Sequence, residues 1–313
     1  MKRIIYIIAL TLFNIGMIGS LKSQQDPMFS QYMFDRIDIN PAYCGSNNYL
    51  SGVLGNKQMF TDIEGGPKTQ KFNFNAPIQS KSMGLGLKVK NDKLGVSKFT
   101  TITGVYAYHL GVGNSKLSFG LEGGISSYSM DFTNLIRKDP NDRALSYNVE
   151  SLTLPEAAFG MYISNDNFYA GVSFYNMVKS ELDISNYNHT PMAKMALHNY
   201  IMAGYTIEMG GDLKLEPSIF VKSIKSAPTQ IDLNSNITWK DMISVGGTYR
   251  TNGTIVMLFR TIIAEKYAIG YSYDYGISKI AALGDGTHEI SLAYQLKLLP
   301  PAKEKVIHPR IYN

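Results

Sequence analysis

The chain has 313 residues, of which 44% are hydrophobic and 18% charged, with 28 glycines, 21 tyrosines and one cysteine. A single cysteine excludes an internal disulfide and a cysteine-rich zinc site, and the apolar content excludes a disordered chain. The formal charge of +5 is concentrated at the start: Lys2, Arg3 and Lys22 lie within 23 acid-free residues, and without them 27 basic residues face 25 acidic ones, a net of +2. A near-neutral chain lacks the electrostatic footprint of a nucleic-acid binder.

Residues 1–23 read as a cleaved secretory signal peptide. Lys2 and Arg3 precede an apolar run from Ile4 to Ile18, and Ser20 and Ser23 are small residues suited to the cut. The run is short for a membrane-spanning helix. Cys44 lies far beyond it, outside any lipidation context.

The 290 residues that follow alternate with period two rather than with helical spacing. Leu117, Phe119, Leu121 and Ile125 alternate with Ser118, Gly120, Glu122 and Ser126; Tyr267, Ile269, Tyr271 and Tyr273 alternate with Ala268, Gly270, Ser272 and Asp274. About 14 such segments are expected, near 48–58, 67–76, 83–91, 97–110, 115–130, 154–164, 167–178, 196–208, 213–223, 229–239, 242–250, 254–263, 266–275 and 287–298. Tight links, such as Lys240–Asp241 and Ala264–Glu265, follow even-numbered segments, and long links (131–153, 179–195 and 276–286) follow odd-numbered ones. That is the pattern of an all-β fold, a transmembrane antiparallel β-barrel of the outer membrane with both termini on the periplasmic side. A soluble all-β protein also alternates, but closure without edges is what lipid requires.

Catalytic and metal motifs are not found. The five histidines (His109, His189, His198, His288, His308) form no His-x-x-x-His pair, and no Gly-x-Ser-x-Gly elbow occurs. His288-Glu289 reads as a strand end with Glu289 inward. Neither an enzymatic activity nor a cofactor or metal is expected. Glu122, Glu208, Glu216, Asp232, Arg250 and Arg260, with Lys214, Lys222, Asp274 and Glu289, fall on the polar side of their segments as mixed-sign lumen charges. Such a mixture suits a lumen tied together by ion pairs better than a selective pore.

Two motifs carry a resemblance. The first runs Asp26-Pro27-Met28-Phe29-Ser30-Gln31-Tyr32, then Asn40-Pro41-Ala42-Tyr43-Cys44-Gly45; the second is Tyr273-Asp274-Tyr275 followed by His288-Glu289-Ile290. Together they resemble the PorP/SprF family of the type IX secretion system of Bacteroidota, with departures at Asp35-Arg36 and Cys44. The resemblance implies an outer-membrane component that assists secretion or surface retention of specific cargo, such as gliding-motility adhesins bearing C-terminal sorting domains. It also implies contact with periplasmic ring and motor components. The expected organisation is a signal peptide (1–23), an N-terminal periplasmic entry segment that enters or caps the barrel (24–45), the barrel (46–298) and a periplasmic tail (299–313). The external loops are then cargo-facing, and the N-terminal motif and tail are candidates for periplasmic contact. The alternative function is a fatty-acid-porin-like channel for small hydrophobic molecules.

Overall fold

The computed structural model describes residues 27–61, 65–78, 82–131, 149–178, 181–182, 193–225, 227–277 and 285–298. The expected signal peptide, Asp26, the tail beyond Leu298 and much of the three long links lie outside the described residues.

Fourteen strands form the wall: β1 (Tyr49–Met59), β2 (Lys68–Ile78), β3 (Met83–Leu94), β4 (Ser97–Val112), β5 (Ser115–Asp131), β6 (Val149–Ser164), β7 (Phe168–Tyr175), β8 (His198–Tyr205), β9 (Leu213–Ile224), β10 (Ala227–Trp239), β11 (Ile243–Arg250), β12 (Thr254–Ile263), β13 (Tyr267–Gly276) and β14 (Thr287–Lys297). A short extension of β8, Ile207–Gly210, follows a break at Thr206. Every strand pairs antiparallel with its neighbours. β1 pairs with β14, and β8 pairs with both β7 and β9, so the sheet closes. All fourteen expected segments are strands. β6 begins at Val149 rather than near 154, because its first residues pair in register with the end of β5. The link after β5 is correspondingly shorter than expected.

The period-two pattern sets which face each residue takes. In β5, Leu121 and Ile125 are 59% and 54% exposed while Glu122 is 8% exposed. Along β12, Ile255, Met257 and Phe259 face outward, and Val256 and Leu258 are buried. An outer surface of leucine, isoleucine and valine around a polar interior inverts the soluble rule and suits lipid. Tyr106, Tyr108, Trp239, Tyr267 and Tyr294 lie outward towards one end, and Tyr249 and Tyr275 towards the other, as interfacial aromatic girdles do.

The two ends differ in their links. At one, the short-link end, all the hairpins but the four-residue link between β2 and β3 turn in two or three residues; Lys240, Asp241, Ala264 and Glu265 all take positive φ between 52 and 59°, the geometry of tight primed turns. At the other, the long-link end, lie the three long connections.

Candidate functional site: a plug through the lumen

The N-terminal segment does more than enter or cap one end. Gly45, just before β1, donates its N–H to Asn75 Oδ1 at 2.6 Å. From there the segment runs back through the lumen, so that Ser30 meets residues at the long-link ends of β11, β13 and β14. Two 3-10 turns, Arg36–Asp38 and Pro41–Tyr43, compact it. The second is capped by Asn40, whose Oδ1 accepts the Ala42 N–H at 2.9 Å.

The plug's apolar side chains bury against the inner wall. Tyr32, Met33, Ile39 and Ala42 pack with Tyr162, Tyr169, Tyr200, Met202, Phe220, Val256 and Leu258. Side chains of this size contribute about 1.5–3 kcal/mol each when fully buried. Phe29 is 1% exposed, with Lys71 Nζ 4.4 Å from its ring centre.

At the long-link end the two sequence motifs meet. Glu289 accepts the Ser30 N–H at 2.8 Å and the Gln31 N–H at 3.0 Å. Ser30 Oγ donates to Asp274 Oδ2 at 2.6 Å. Arg250 joins these groups, with Nε 3.0 Å from Asp232, Nη1 3.2 Å from Asp274 and Nη2 donating to Ser30 Oγ at 3.2 Å. Lys57 donates to the Met28 carbonyl at 2.8 Å and lies 3.7 Å from both Asp274 and Glu289. The opposed charges and the backbone donors compensate one another's burial.

Mid-lumen, Lys71 bridges Asp35 at 2.9 Å and Asp38 at 3.0 Å. Lys88 pairs with Glu122 at 2.9 Å, and Thr103 donates to the same carboxylate at 2.6 Å. Burial pushes the Asp38 carboxyl up, but Lys71 and Lys88 outweigh it and hold the group at about 2. Arg36 pairs with Glu216 at 2.7 Å and lies 3.7 Å from the Tyr169 ring centre.

At the short-link end the seat is steric. Asn40 Nδ2 donates to the carbonyls of Met161 at 3.0 Å and Val172 at 3.3 Å, and Ser173 Oγ donates to the Ile39 carbonyl at 2.5 Å. A Cβ at Gly120 would overlap the Pro41–Ala42 backbone, one at Gly160 the Asn40 side chain, and one at Gly84 the Cys44 carbonyl. Cys44 is fully buried, and burial raises its thiol to about 12.

The expected site residues separate accordingly. Phe29, Ser30, Gln31, Tyr32, Asn40, Pro41 and Ala42 are buried in the plug, and Pro27 and Tyr43 are half-buried. Their burial argues against this motif as a surface for periplasmic partners. Asp274 and Glu289 bind the plug, whereas Tyr275 and Ile290 are exposed on the outer wall, and Tyr273 and His288 share that outward parity. Glu122, Glu216, Asp232 and Arg250 are lumen groups with plug or wall partners. Arg260 is half-buried, 5.1 Å from the Phe34 ring centre. Glu208 keeps the inward parity and stays in register opposite Lys214, but it is exposed at the short-link end, because the extension runs past the start of β7, whose last pair with β8 is Phe168 with Tyr205. Lys214 is also at this end, paired with Asp241 at 2.7 Å. Lys57, Lys71, Lys88, Asp35, Asp38 and the inward glycines escaped the sequence reading, although Thr69, Lys71, Asn73 and Asn75 alternate openly with Phe72 and Phe74. Among the described residues no cluster of potential metal ligands occurs.

Comparison with solved structures finds outer-membrane barrels at low identity. Acinetobacter baumannii Omp33 is 9% identical, over 80% of this chain and 100% of that one, with a TM-score of 0.44. The Ralstonia pickettii toluene transporter TbuX is 8% identical, over 83% and 92%, at 0.48. A Pseudomonas aeruginosa FadL homologue is 11% identical, over 82% and 92%, at 0.47. No curated protein matches the chain. The family described as type IX secretion system membrane protein PorP/SprF matches residues 21–294, a span that holds the plug, the closed wall and both motifs that bind them together. The chain belongs to the PorP/SprF family of type IX secretion system membrane proteins.

Proposed function

We propose that this outer-membrane barrel assists type IX secretion or surface retention of specific cargo proteins, such as adhesins with C-terminal sorting domains, and that it catalyses no reaction. The observation that carries this reading is the plug. A lumen crossed by its own N-terminal segment, tied at both ends, is built as a rigid platform rather than as an open conduit. Such a barrel works through its ends: the loops 132–148, 179–195 and 277–286 towards cargo outside, and the tail 299–313 towards ring and motor components in the periplasm. The channel alternative needs an apolar path through the lumen, where this chain places Arg250, Lys57, Lys71, Lys88 and their carboxylates.

Deletion of the gene, followed by comparison of secreted and surface proteins, tests the proposal. Loss of one or a few large surface proteins with C-terminal sorting domains, restored by the wild-type gene, is the expected result. Unchanged secretion with altered uptake of hydrophobic solutes would overturn it.

A further inference from the structure

The outward face of β1–β4 changes character in three steps towards the long-link end. Register aligns Leu292, Leu54, Phe72, Val89 and Ile102 as an apolar row. The next outward row is Asn56, Gln70, Asn91 and Thr100, within which Thr100 Oγ1 donates to Asn91 at 3.0 Å. The row after that places Lys68, Lys93 and Lys98 directly opposite one another on three adjacent strands. All three are exposed, and none has an ion-pair partner among the described residues. The corresponding end of β11–β13 instead presents Tyr249 and Tyr275 outward.

Like charges directly opposite on a sheet repel, so three lysines in one row call for a shared counter-anion. Their position narrows its nature. They lie on the outer wall, two register steps from side chains that face hydrocarbon, where headgroups meet the barrel. A second feature adjoins them: an outer-wall groove of about 460 Å³ lined by Leu54, Phe72, Val89, Ile290 and Leu292, with Asn56, Gln70 and Asn91 along its edge. We infer that this face binds a phosphorylated, acylated lipid, with Lys68, Lys93 and Lys98 on the phosphate, the amide row on the adjoining polar headgroup and the groove along one acyl chain.

Native mass spectrometry of the purified full chain in neutral detergent, titrated separately with lipid A, dephosphorylated lipid A and inorganic phosphate, tests this. Lipid A is expected to bind the wild type, and the affinity to fall about fivefold for each lysine replaced by glutamine, the attraction of one lysine to an anionic surface. The Lys68→Gln/Lys93→Gln/Lys98→Gln variant should bind both lipids equally weakly. If that variant does not fold, Lys93→Gln alone, the middle of the row, should show the single fivefold loss. Equal binding of lipid A by wild type and variant would overturn the inference, as would equal binding of the two lipids by the wild type. Displacement of lipid A by a matching concentration of inorganic phosphate would overturn the lipid assignment and leave a free-phosphate site. The readout involves no secretion, so its failure leaves the cargo proposal standing, and failure of the cargo proposal leaves this binding intact.

Discussion

The two ends of the plug are held by opposite means. Ser30 and Gln31 hang on charge: two carboxylates, an arginine and a lysine converge on a backbone that brings two N–H groups, a carbonyl and one hydroxyl. Asn40 to Cys44 rest on absence: the wall removes side chains at Gly84, Gly120 and Gly160, and the backbone fills the room left. The contrast assigns two tasks. The steric bed sets how deeply the segment seats, since only a glycine wall admits a backbone that close. The ionic end sets which sequence seats there, because a mismatched residue would leave buried charges uncompensated.

The sharpest way to break this division is to fill the bed. Gly120→Val should prevent seating altogether. Arg36 is the only basic residue between positions 27 and 45, so trypsin cleavage after it reports release. In this variant it should be cut as fast as in the unfolded chain while the barrel still resists. Glu289→Ala attacks the other end: it strands the Ser30 and Gln31 N–H groups and leaves Lys57 only Asp274 of its two carboxylates, at a cost of about 1–3 kcal/mol for each stranded donor. The expected sign is cleavage after Arg36 in a protein that keeps its strand signal in circular dichroism; an uncut plug would show that the steric bed suffices alone.

The wall gives a second contrast. Leu121→Arg places a charge on the lipid face and should cost about 2–4 kcal/mol near mid-membrane, read as failure to assemble in folding gels. Its neighbour Glu122 faces inward, yet Glu122→Gln is not neutral. Lys88 loses its carboxylate partner, so this variant should assemble but unfold at a lower temperature. Asn40→Ala removes one cap bond and two bonds to wall carbonyls, a loss of about 1–3 kcal/mol, visible as a modest fall in the same unfolding temperature.

The smallest effect is a pH dependence. Asp38 is depressed to about 2 in the folded protein, below the roughly 3.9 of an unfolded aspartate. Its contribution is therefore fully present above pH 4 and is lost as pH falls through 2. An acid-stable protease should find the plug increasingly accessible over that window in the wild type, and less so in Asp38→Asn, which lacks the titration.

Much of the wall was legible in the sequence because membrane barrels write it twice, once in the period-two pattern and once in the parity of link lengths. Leu121 and Glu122 are adjacent, and alternation alone separates their faces. What alternation does not carry is pairing across the lumen. Asp35 and Arg36 looked like departures from a family motif; only the fold brings them to Lys71 and Glu216. The glycines of β5 and β6 read as weak strand residues, since nothing local says that a backbone lies against them. Glu208 has the inward parity that alternation gives it, but alternation does not mark where a strand outruns its neighbour, and past Tyr205 there is no β7 residue to enclose it.

The most direct test of the plug uses the single thiol. Cys44 lies at the short-link end between the plug and the wall, fully buried and with its acidity suppressed. A maleimide added to the folded barrel at neutral pH should leave Cys44 unmodified, and the same reagent should label it at once after denaturation. Rapid labelling of Cys44 in a barrel that is still folded would contradict a seated plug.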